Sequence, residues 1–579
     1  MGADRRKHRR QGDSGEDVPA ACTDADVQIL APRGPVLVRY SGQDSMRKHW
    51  LLISIWVCFL LRGWFYASML PLWEGYDEFA HFGVIRAMAR GIMVPPRDQR
   101  GPRDVEESLR LAAVPWEVRN WDVFRSSLTQ EQYWALPAEE KRDREARLRT
   151  LPEAWAREES TAGISAYEAL QPPLSYWLMA PVVRVLRNSG LLAQVMAVRW
   201  LGVILASFAV PLTFAIVRSV VRSDAAGLGC AAVVALMPGL ATDVARVSNE
   251  PLSILLFSLL VWAGLRILEE PERVGGAGLL GAILGLGLLT KAYFLTAIPA
   301  VALLLLRRHW GDWRPWAATF GVPAGIAGWW YVRNLVTTGT ISGLAEPILL
   351  RDRGVSGMIG AIPAIPWLKA VDVILVSHLY FCGWSSLTVR SWMYHAFYVV
   401  IALVLLGLVR HVRRPPVAWL AAVYAAFWLG QLYNVVLQYL TKGLPGSMGW
   451  YLYAVVTCEV ALCAVAFGRW RGWGLAGGAV LFGLLDLYGM HGLAIPYYTG
   501  LIGHKATGAL ATVHLDDFLS VGFAGVFERL AVNKTAALSP WRLTVLWVLY
   551  LGATVLPMAA AVGLTRERSS STLRHRSTD

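Results

Sequence analysis

The first strongly apolar segment of the chain, about residues 50–72, is followed directly by Trp73-Glu74-Gly75-Tyr76-Asp77-Glu78-Phe79-Ala80-His81-Phe82. An apolar segment of that length can cross a bilayer as a helix. Asp77 and Glu78 therefore stand where the chain leaves the membrane, and apolar surroundings disfavour their charged forms. Residues 79–90 are predicted to form a helix along the bilayer surface. This arrangement predicts a functional site at the membrane face.

The composition is that of an integral membrane protein with many spans. Of 579 residues, 55% are hydrophobic and 17% are charged, and the mean hydropathy of +0.41 excludes an ordinary soluble domain. The net charge of +13 comes from short basic clusters between apolar runs. That is the positive-inside pattern of a multispan protein rather than a nucleic-acid-binding surface. The six cysteines and the late histidines lack the spacing of a disulfide framework or a metal site.

The distribution of basic connections predicts the topology. Keeping them on the cytoplasmic side requires that two apolar segments, 174–187 and 366–384, do not fully cross the bilayer. We therefore predict an all-α polytopic membrane protein with about 12 (11–14) transmembrane helices and a large first outer loop that carries surface helices. The predicted divisions are a disordered cytoplasmic tail at 1–48, a catalytic membrane module at 49–340 with its outer loop at 73–173, a C-terminal membrane module at 341–563 with an outer loop at 490–540, and a cytoplasmic tail at 564–579.

This topology places several polar residues on the outer side. Lys291 lies between two Gly-rich apolar runs, where it either extends to the membrane surface or binds a lipid phosphate. Arg333, followed by Asn334, ends an aromatic run. Its planar guanidinium suits phosphate, and the alternative is an anchor in the aromatic belt. Asn249 and Glu250 lie at the outer end of another span and are candidates for the same cavity.

Two further candidates flank the large outer loop. His81 lies one turn after Asp77, so it either orients that carboxylate or is merely interfacial. Gln171 precedes Pro172-Pro173, which set a rigid return to the membrane, and it is a candidate for substrate contact.

Three ionisable residues, Arg62, Glu459 and Asp486, lie inside apolar runs. Such groups are costly in a membrane and are usually functional or paired. The sequence does not say which of them pair.

Taken together, these residues resemble the GT-C superfamily of membrane glycosyltransferases, in the branch that contains protein O-mannosyltransferases and the lipid A aminoarabinose transferase, with uncharacterised bacterial relatives. The resemblance covers roughly residues 50–340. It rests on Asp77-Glu78, Ala80-His81-Phe82, Pro172-Pro173-Leu174, Leu289-Thr290-Lys291 and Trp330-Tyr331-Val332-Arg333-Asn334. Gln171 stands where many relatives have His or Lys, and Trp450 where many bacterial relatives have a basic residue.

The resemblance implies a glycosyltransferase that moves a sugar from a polyprenyl-phosphate donor to a lipid, polysaccharide or protein acceptor at the extracytoplasmic face of a bacterial plasma membrane. Asp77 is the implied general base, and Glu78 would orient Asp77 or the acceptor. His81, Gln171, Lys291, Arg333 and Asn334 are the implied substrate contacts. A single base implies one displacement with inversion. No metal or other cofactor is predicted.

Two other functions stay open from the sequence. One is a flippase or transporter of lipid-linked sugars, which would need polar groups near the bilayer midplane. The other is a non-catalytic membrane protein of cell-envelope assembly. The sequence does not predict the donor sugar, the polyprenol length, the acceptor or the oligomeric state.

Overall fold

The computed structural model describes residues 42–119, 121, 124, 127–157, 161–270, 274–505 and 508–576. Most of the predicted N-terminal tail, residues 1–41, lies outside the described residues, as do the last three residues of the predicted C-terminal tail.

The first span and the outer loop after it contain short helices and two small strand pairs. Strand β1 pairs with β4 antiparallel, and β2 pairs with β3 parallel. In order, the elements are α1 (Gly42–Met69), α2 (Glu78–Ala89), β1 (Arg100–Pro102), α3 (Arg103–Leu111), β2 (Ala113–Val114), β3 (Leu128–Thr129), α4 (Gln130–Ala135), α5 (Ala138–Arg149), α6 (Glu153–Arg157) and β4 (Thr161–Ser165). The loop therefore contains helices, as predicted, and their position along the bilayer surface stays a prediction.

The middle of the chain is a series of apolar helices that includes the predicted short segment 174–187. They are α7 (Leu174–Val185), α8 (Leu191–Ser207), α9 (Ala209–Val221), α10 (Asp224–Leu236), α11 (Pro238–Val244), α12 (Glu250–Glu269), α13 (Val274–Leu288), α14 (Ala297–Arg308) and α15 (Trp313–Thr338).

The last part of the chain adds further spans and the late outer segment. Its helices are α16 (Ala345–Leu349), α17 (Gly354–Ala361), α18 (Trp367–Leu379), α19 (Ser391–Leu408), α20 (Pro415–Lys442), α21 (Val456–Ala466), α22 (Arg471–Gly489), α23 (Ile495–Tyr498), α24 (Leu515–Ala531) and α25 (Pro540–Arg576). The segment 336–365 is rich in Gly and Pro, which predicts a flexible loop over the membrane surface. The prediction is wrong in part, because this segment carries α16 and α17.

The fold class is confirmed: the protein is an all-α integral membrane protein with multiple spans. Within the described residues, 8 helices are long and apolar enough to cross a membrane, or up to 10 if each of two bent helix pairs is one span. The number is lower than the predicted twelve partly because α13 and α14 have only 15 and 12 residues, and α7, with 12, is short as predicted. A 12-residue helix is about 18 Å long and does not cross the bilayer core.

Two helix pairs are bent, and one of them includes the segment 366–384, which is predicted not to cross the bilayer fully. Helices α10 and α11 meet at 61°, and the helical segment Arg351–Ala364 meets α18 at 89°. Helix α18 has 13 residues, so its length agrees with the prediction that segment 366–384 does not fully cross.

A buried ion pair joins the first span to two late helices. Arg62 of α1 lies with its Nη2 2.8 Å from Asp486 Oδ1 of α22. Tyr66 donates to the same oxygen at 2.6 Å, and Tyr550 of α25 donates to Oδ2 at 2.8 Å. The third intramembrane charge, Glu459, has its Oε2 3.0 Å from His378 Nε2. Each of the three charges predicted from the sequence is therefore paired.

The two predicted outer loops contact each other. Glu131 in the first loop accepts hydrogen bonds from the backbone N–H of His504 at 3.1 Å and lies 2.6 Å from its Nδ1. Trp116 stacks on the His504 ring with centroids 4.3 Å apart. Segments in contact at their polar ends lie on one side of the membrane, which agrees with the predicted topology. The division into modules at residue 340 stays a prediction.

Candidate active site

The turn before α2 gives the two adjacent carboxylates different surroundings. Asp77 adopts the left-handed conformation, with φ 54° and ψ 18°, as the N-cap of α2. Aspartate is one of the few non-glycine residues that visits this region routinely. Helix α2, Glu78–Ala89, matches the helix predicted at 79–90, although it is almost wholly buried rather than exposed on one face.

Glu78 is held in an ion pair inside the protein. It is fully buried, and Arg199 of α8 donates from Nε to Oε1 at 2.7 Å and from Nη2 to Oε2 at 2.6 Å. The backbone N–H of Val247 donates to Oε1 at 2.9 Å. Arg199 also donates to the carbonyls of Ala67 and Leu70 at the end of α1. Glu78 therefore attaches helix α2 to the spans α1 and α8.

Asp77 remains accessible. Between Leu72 and Met88 it is the one residue that is not buried. Tyr167 donates a hydrogen bond to its Oδ1 at 2.5 Å. Burial raises the pKa of Asp77, and the hydrogen bond from Tyr167 opposes that rise. Asp77 is therefore a partly exposed carboxylate in an otherwise buried segment.

His81 contacts other groups than the one predicted. Its Nδ1 lies 2.8 Å from the Tyr176 hydroxyl and 3.7 Å from Glu168 Oε2. In the described structure the His81 ring makes no hydrogen bond to the Asp77 carboxylate, although the His81 backbone N–H donates to the Asp77 carbonyl at 3.0 Å within the first turn of α2. Burial lowers the pKa of His81 to about 3, so the ring is neutral at physiological pH. It therefore does not orient Asp77 directly.

Two buried cations neighbour Asp77, each paired with a carboxylate. Lys291 Nζ binds the carboxylate of Glu250. Arg246 lies 2.6 Å from Asp243 Oδ1 and 3.8 Å from Glu250 Oε2. Arg246, Glu250 and Lys291 all influence the pKa of Asp77 electrostatically. The structure thus unites Asp77, Glu250 and Lys291, as the predicted topology expects.

Trp450, which stands where many bacterial relatives have a basic residue, packs on Tyr76, the residue before Asp77. Trp450 stacks on Tyr76 with centroids 3.7 Å apart and an interplanar angle of 7°. The Arg246 guanidinium lies 4.8 Å from the centroid of the same tyrosine. Trp450 therefore supports Tyr76 and Arg246 by packing.

Arg333 and Asn334 lie beside a cation that the sequence analysis missed. The Arg333 guanidinium is 5.0 Å from the Trp330 ring centroid, and Asn334 donates to the Ser342 carbonyl at 3.0 Å. Arg97 donates to the adjacent Gly343 carbonyl at 3.0 Å. Burial and the charge of Arg333 lower the pKa of Arg97. In the described part of the chain, neither guanidinium has a carboxylate at ion-pair distance. The only sequence signal for Arg97 is its place after Pro95-Pro96 in the outer loop.

The segment around Gln171 lies beside the turn that holds Lys291. The backbone N–H of Leu174 donates to the Leu289 carbonyl at 2.9 Å, which brings the two prolines next to the turn that holds Lys291. Several buried side-chain atoms around this segment and the start of α12 have no hydrogen-bond partner among the described residues. They are Glu168 Oε2, Gln171 Oε1, Ser175 Oγ, Ser248 Oγ, both amide atoms of Asn249 and Glu250 Oε2. Unpaired buried polar atoms are rare in proteins and often mark places where solvent or a ligand binds.

The described residues do not form a metal centre: no group of three or more His, Cys, Asp or Glu side chains among them has metal-binding geometry. What the fold and the site define is a multispan membrane protein with an accessible carboxylate and buried cations where the first span ends.

Comparison with known families agrees with this description. Residues 170–330 match the family model described as dolichyl-phosphate-mannose-protein mannosyltransferase. The match confirms the predicted resemblance to the GT-C superfamily, and with it the prediction of a glycosyltransferase of this type. A sequence search among curated proteins finds no match.

Three solved structures that match this chain have low sequence identity to it and TM-scores below 0.5. ArnT from Cupriavidus metallidurans bound to undecaprenyl phosphate has 13% identity and a TM-score of 0.45, with 90% of this chain and 79% of that chain covered. The apo state of ArnT has 14% identity and the same TM-score, with 90% and 77% covered. An oligosaccharyltransferase from Archaeoglobus fulgidus, in complex with Zn and sulfate, has 13% identity and a TM-score of 0.31, with 71% and 51% covered.

Proposed function

We propose that this protein transfers a sugar from a polyprenyl-phosphate donor to an acceptor hydroxyl at the extracytoplasmic face of a bacterial plasma membrane, with Asp77 as the general base. The family that matches residues 170–330 is described by a dolichyl-phosphate sugar, and dolichyl phosphate is a polyprenyl phosphate. The observation that carries the proposal is Asp77 itself, the accessible carboxylate between Leu72 and Met88.

The chemistry needs one base and one group of cations. The acceptor oxygen attacks the anomeric carbon, its proton moves to Asp77, and the bond from that carbon to the phosphate oxygen breaks. The electron pair leaves on the phosphate, so no enzyme nucleophile is required and the product has inverted configuration. The leaving phosphate monoester gains negative charge, which nearby cations stabilise.

Arg333 and Arg97 are suited to the donor phosphate. Two guanidiniums without a carboxylate partner repel each other, and an anion between them relieves that repulsion. Each guanidinium also offers parallel donors that match phosphate oxygens. Lys291 differs because Glu250 already neutralises it. We therefore assign Arg333 and Arg97 to the donor phosphate, and Lys291 with Glu250 to the polar wall near Asp77.

Glu78 supports the site from outside it. Both of its oxygens accept hydrogen bonds from Arg199 and the side chain is fully buried, so neither oxygen is open to an acceptor. We propose that Glu78 is a positioning residue that fixes the N-terminus of α2, and hence Asp77.

The test is sugar release from polyprenyl-phosphate sugars by purified protein in lipid. Asp77→Asn removes the base, and we expect activity to fall by at least the 10²–10⁴-fold typical of general-base removal, with donor binding retained. Asp372→Asn is the matched control, because Asp372 is an exposed aspartate that also accepts from a tyrosine, Tyr398, at 2.6 Å.

The control variant should keep wild-type activity. Equal activity in Asp77→Asn and the wild type would sink the assignment of the base. Movement of the lipid-linked sugar across vesicles without any sugar release would indicate a transporter instead.

A further inference from the structure

Glu168 is a buried acid that the proposed reaction does not yet use. It lies in the short 3-10 helix Tyr167–Leu170, next to the tyrosine that donates to Asp77. The residue is 9% exposed, and its Oε2 is buried without a hydrogen-bond partner. His81 lies nearby, with its Nδ1 3.7 Å from Glu168 Oε2. A buried carboxyl oxygen without a partner, beside the proposed base, needs an explanation.

Among the described residues, no lysine or arginine lies at ion-pair distance from Glu168. His81 is neutral because burial lowers its pKa to about 3. The nearby cations Lys291 and Arg246 are bound by Glu250 and Asp243. The titratable and charged groups that interact with Glu168 come from its own segment, from α2 and the turn before it, from α7 and α12, and from the segments between other helices. They are Tyr167, Asp77, His81, Tyr176, Glu250, Arg246, Lys291 and Tyr451.

Two carboxyl groups whose charges repel each other, as those of Asp77 and Glu168 do, do not both ionise easily. A buried carboxylate that faces a second carboxylate keeps its proton, while its neighbour stays charged. Burial and the charge of Asp77 raise the pKa of Glu168 to about 8. Asp77 has the hydrogen bond from Tyr167 and an accessible position, so it is the member of the pair that loses its proton first.

We infer that Glu168 is a second carboxyl group of the active site, which keeps its proton beside ionised Asp77 and donates a hydrogen bond from Oε2 to a substrate oxygen. This inference rests on the proposed function and adds a residue to it. A protonated acid at this place supplies a donor where every neighbouring carboxylate can only accept. Its substrate is an oxygen atom of the sugar or of the acceptor, held beside the base.

The test is the pH profile of kcat/KM for the wild type and for Glu168→Gln. Wild-type activity should decline above about pH 8, where Glu168 loses its proton and no longer donates. Glutamine keeps a donor that does not titrate. Glu168→Gln should therefore be less active than the wild type at pH 7, but its profile should lack the alkaline decline.

Two other substitutions at the same position check the chemistry. Glu168→Ala should lose about tenfold or more of kcat/KM at pH 7, as expected for one lost buried hydrogen bond. Glu168→Asp keeps a titrating acid, so it should be weaker than the wild type and retain the alkaline decline. Thermal unfolding of each variant separates a loss of folded protein from a loss of activity.

The matched control is Glu74→Gln. Glu74 is fully buried, and burial also raises its pKa to about 8. Its oxygens, however, are occupied by the backbone N–H of Ser385 at 2.8 Å and the Ser385 hydroxyl at 3.0 Å. Glu74→Gln should keep the alkaline decline.

Three results would overturn the inference: an alkaline decline that persists in Glu168→Gln, one that disappears in Glu74→Gln, or a loss in Glu168→Gln that is equal at every pH. Failure of the proposed function is a separate result, since it would be seen as wild-type activity in Asp77→Asn.

Discussion

At the scale of single residues, the site depends on a turn that separates two neighbouring carboxylates. Asp77 takes a left-handed conformation, and as a result it stays accessible while Glu78 is buried against Arg199. A pair of adjacent acids in the sequence is therefore not a catalytic pair in the structure. The carboxyl groups that interact with Asp77 are instead Glu168 and Glu250, which lie 91 and 173 residues later in the chain.

Substitution of Glu78 should act on stability first. Glu78→Gln leaves Arg199 buried without its full charge partner, and breaking a buried ion pair from one side costs about 3–5 kcal/mol. We expect a lower thermal unfolding temperature in detergent, whereas Asp77→Asn should unfold close to the wild type. Full stability of Glu78→Gln with complete loss of turnover would instead indicate a direct catalytic role for Glu78.

Substitution of Tyr167 should act on the pH dependence. Its hydrogen bond lowers the pKa of Asp77, so Tyr167→Phe should raise that pKa further. A general base must be deprotonated, and kcat/KM should therefore rise with pH at a higher pH in Tyr167→Phe than in the wild type. Tyr398→Phe, which removes the similar bond to exposed Asp372, should leave the acid limb of the profile unchanged.

At the scale of elements, the site is assembled by segments that meet at the outer ends of helices. Helix α2 supplies His81 and begins at Asp77, the 3-10 helix before α7 supplies Tyr167 and Glu168, and α12 begins with Glu250. Helix α15 presents Arg333 near its end, opposite Arg97 of the first outer loop. Each element contributes one or two groups, and none contains the site alone.

The cation pair should act on the donor. Arg333→Ala and Arg97→Ala each remove charge-assisted hydrogen bonds to phosphate, worth about 1.5–3 kcal/mol or roughly tenfold to a hundredfold in affinity. We expect a higher KM for the polyprenyl-phosphate sugar and a smaller effect on acceptor KM.

The matched control lies on the same helix as Arg333. Arg314 is exposed near the start of α15, and Arg314→Ala should leave both constants unchanged. A donor KM that does not change in either Arg333→Ala or Arg97→Ala would remove these residues from the phosphate site.

At the scale of the whole molecule, polar contacts inside the bundle hold distant parts of the chain in register. The Arg62–Asp486 pair joins α1 to α22, and Tyr550 adds α25. On the outer side, Glu131 and His504 join the first outer loop to the late one. These contacts fix the end of α1, from which the Asp77 turn starts.

Breaking the intramembrane pair should destabilise the whole protein. Asp486→Asn leaves Arg62 buried with a neutral partner, and we expect a loss of about 3–5 kcal/mol, read as a lower unfolding temperature and poorer yield. The double variant Arg62→Met/Asp486→Leu replaces both charges by apolar side chains and should recover part of that loss. A double variant as unstable as the single one would show that the ion pair itself is required.

The features of the fold and the site that could be predicted are those that depend on residues close together in the sequence. The spans, the helix after Asp77 and the short segments 174–187 and 366–384 follow from hydropathy and from basic residues that lie close together in sequence. The residues themselves therefore determined the membrane fold class, the position of Asp77 and the presence of Lys291 and Arg333 on the same side. Two sets of contacts depend on packing between distant segments, and only the tertiary structure decided them. The ion pairs are Arg199–Glu78 and Arg62–Asp486. The electrostatic neighbours are Arg97 with Arg333 and Glu168 with Asp77. Local sequence determines which groups a helix carries, whereas the partner of a buried charge is chosen by packing between segments that are often more than a hundred residues apart, and no local pattern encodes that choice.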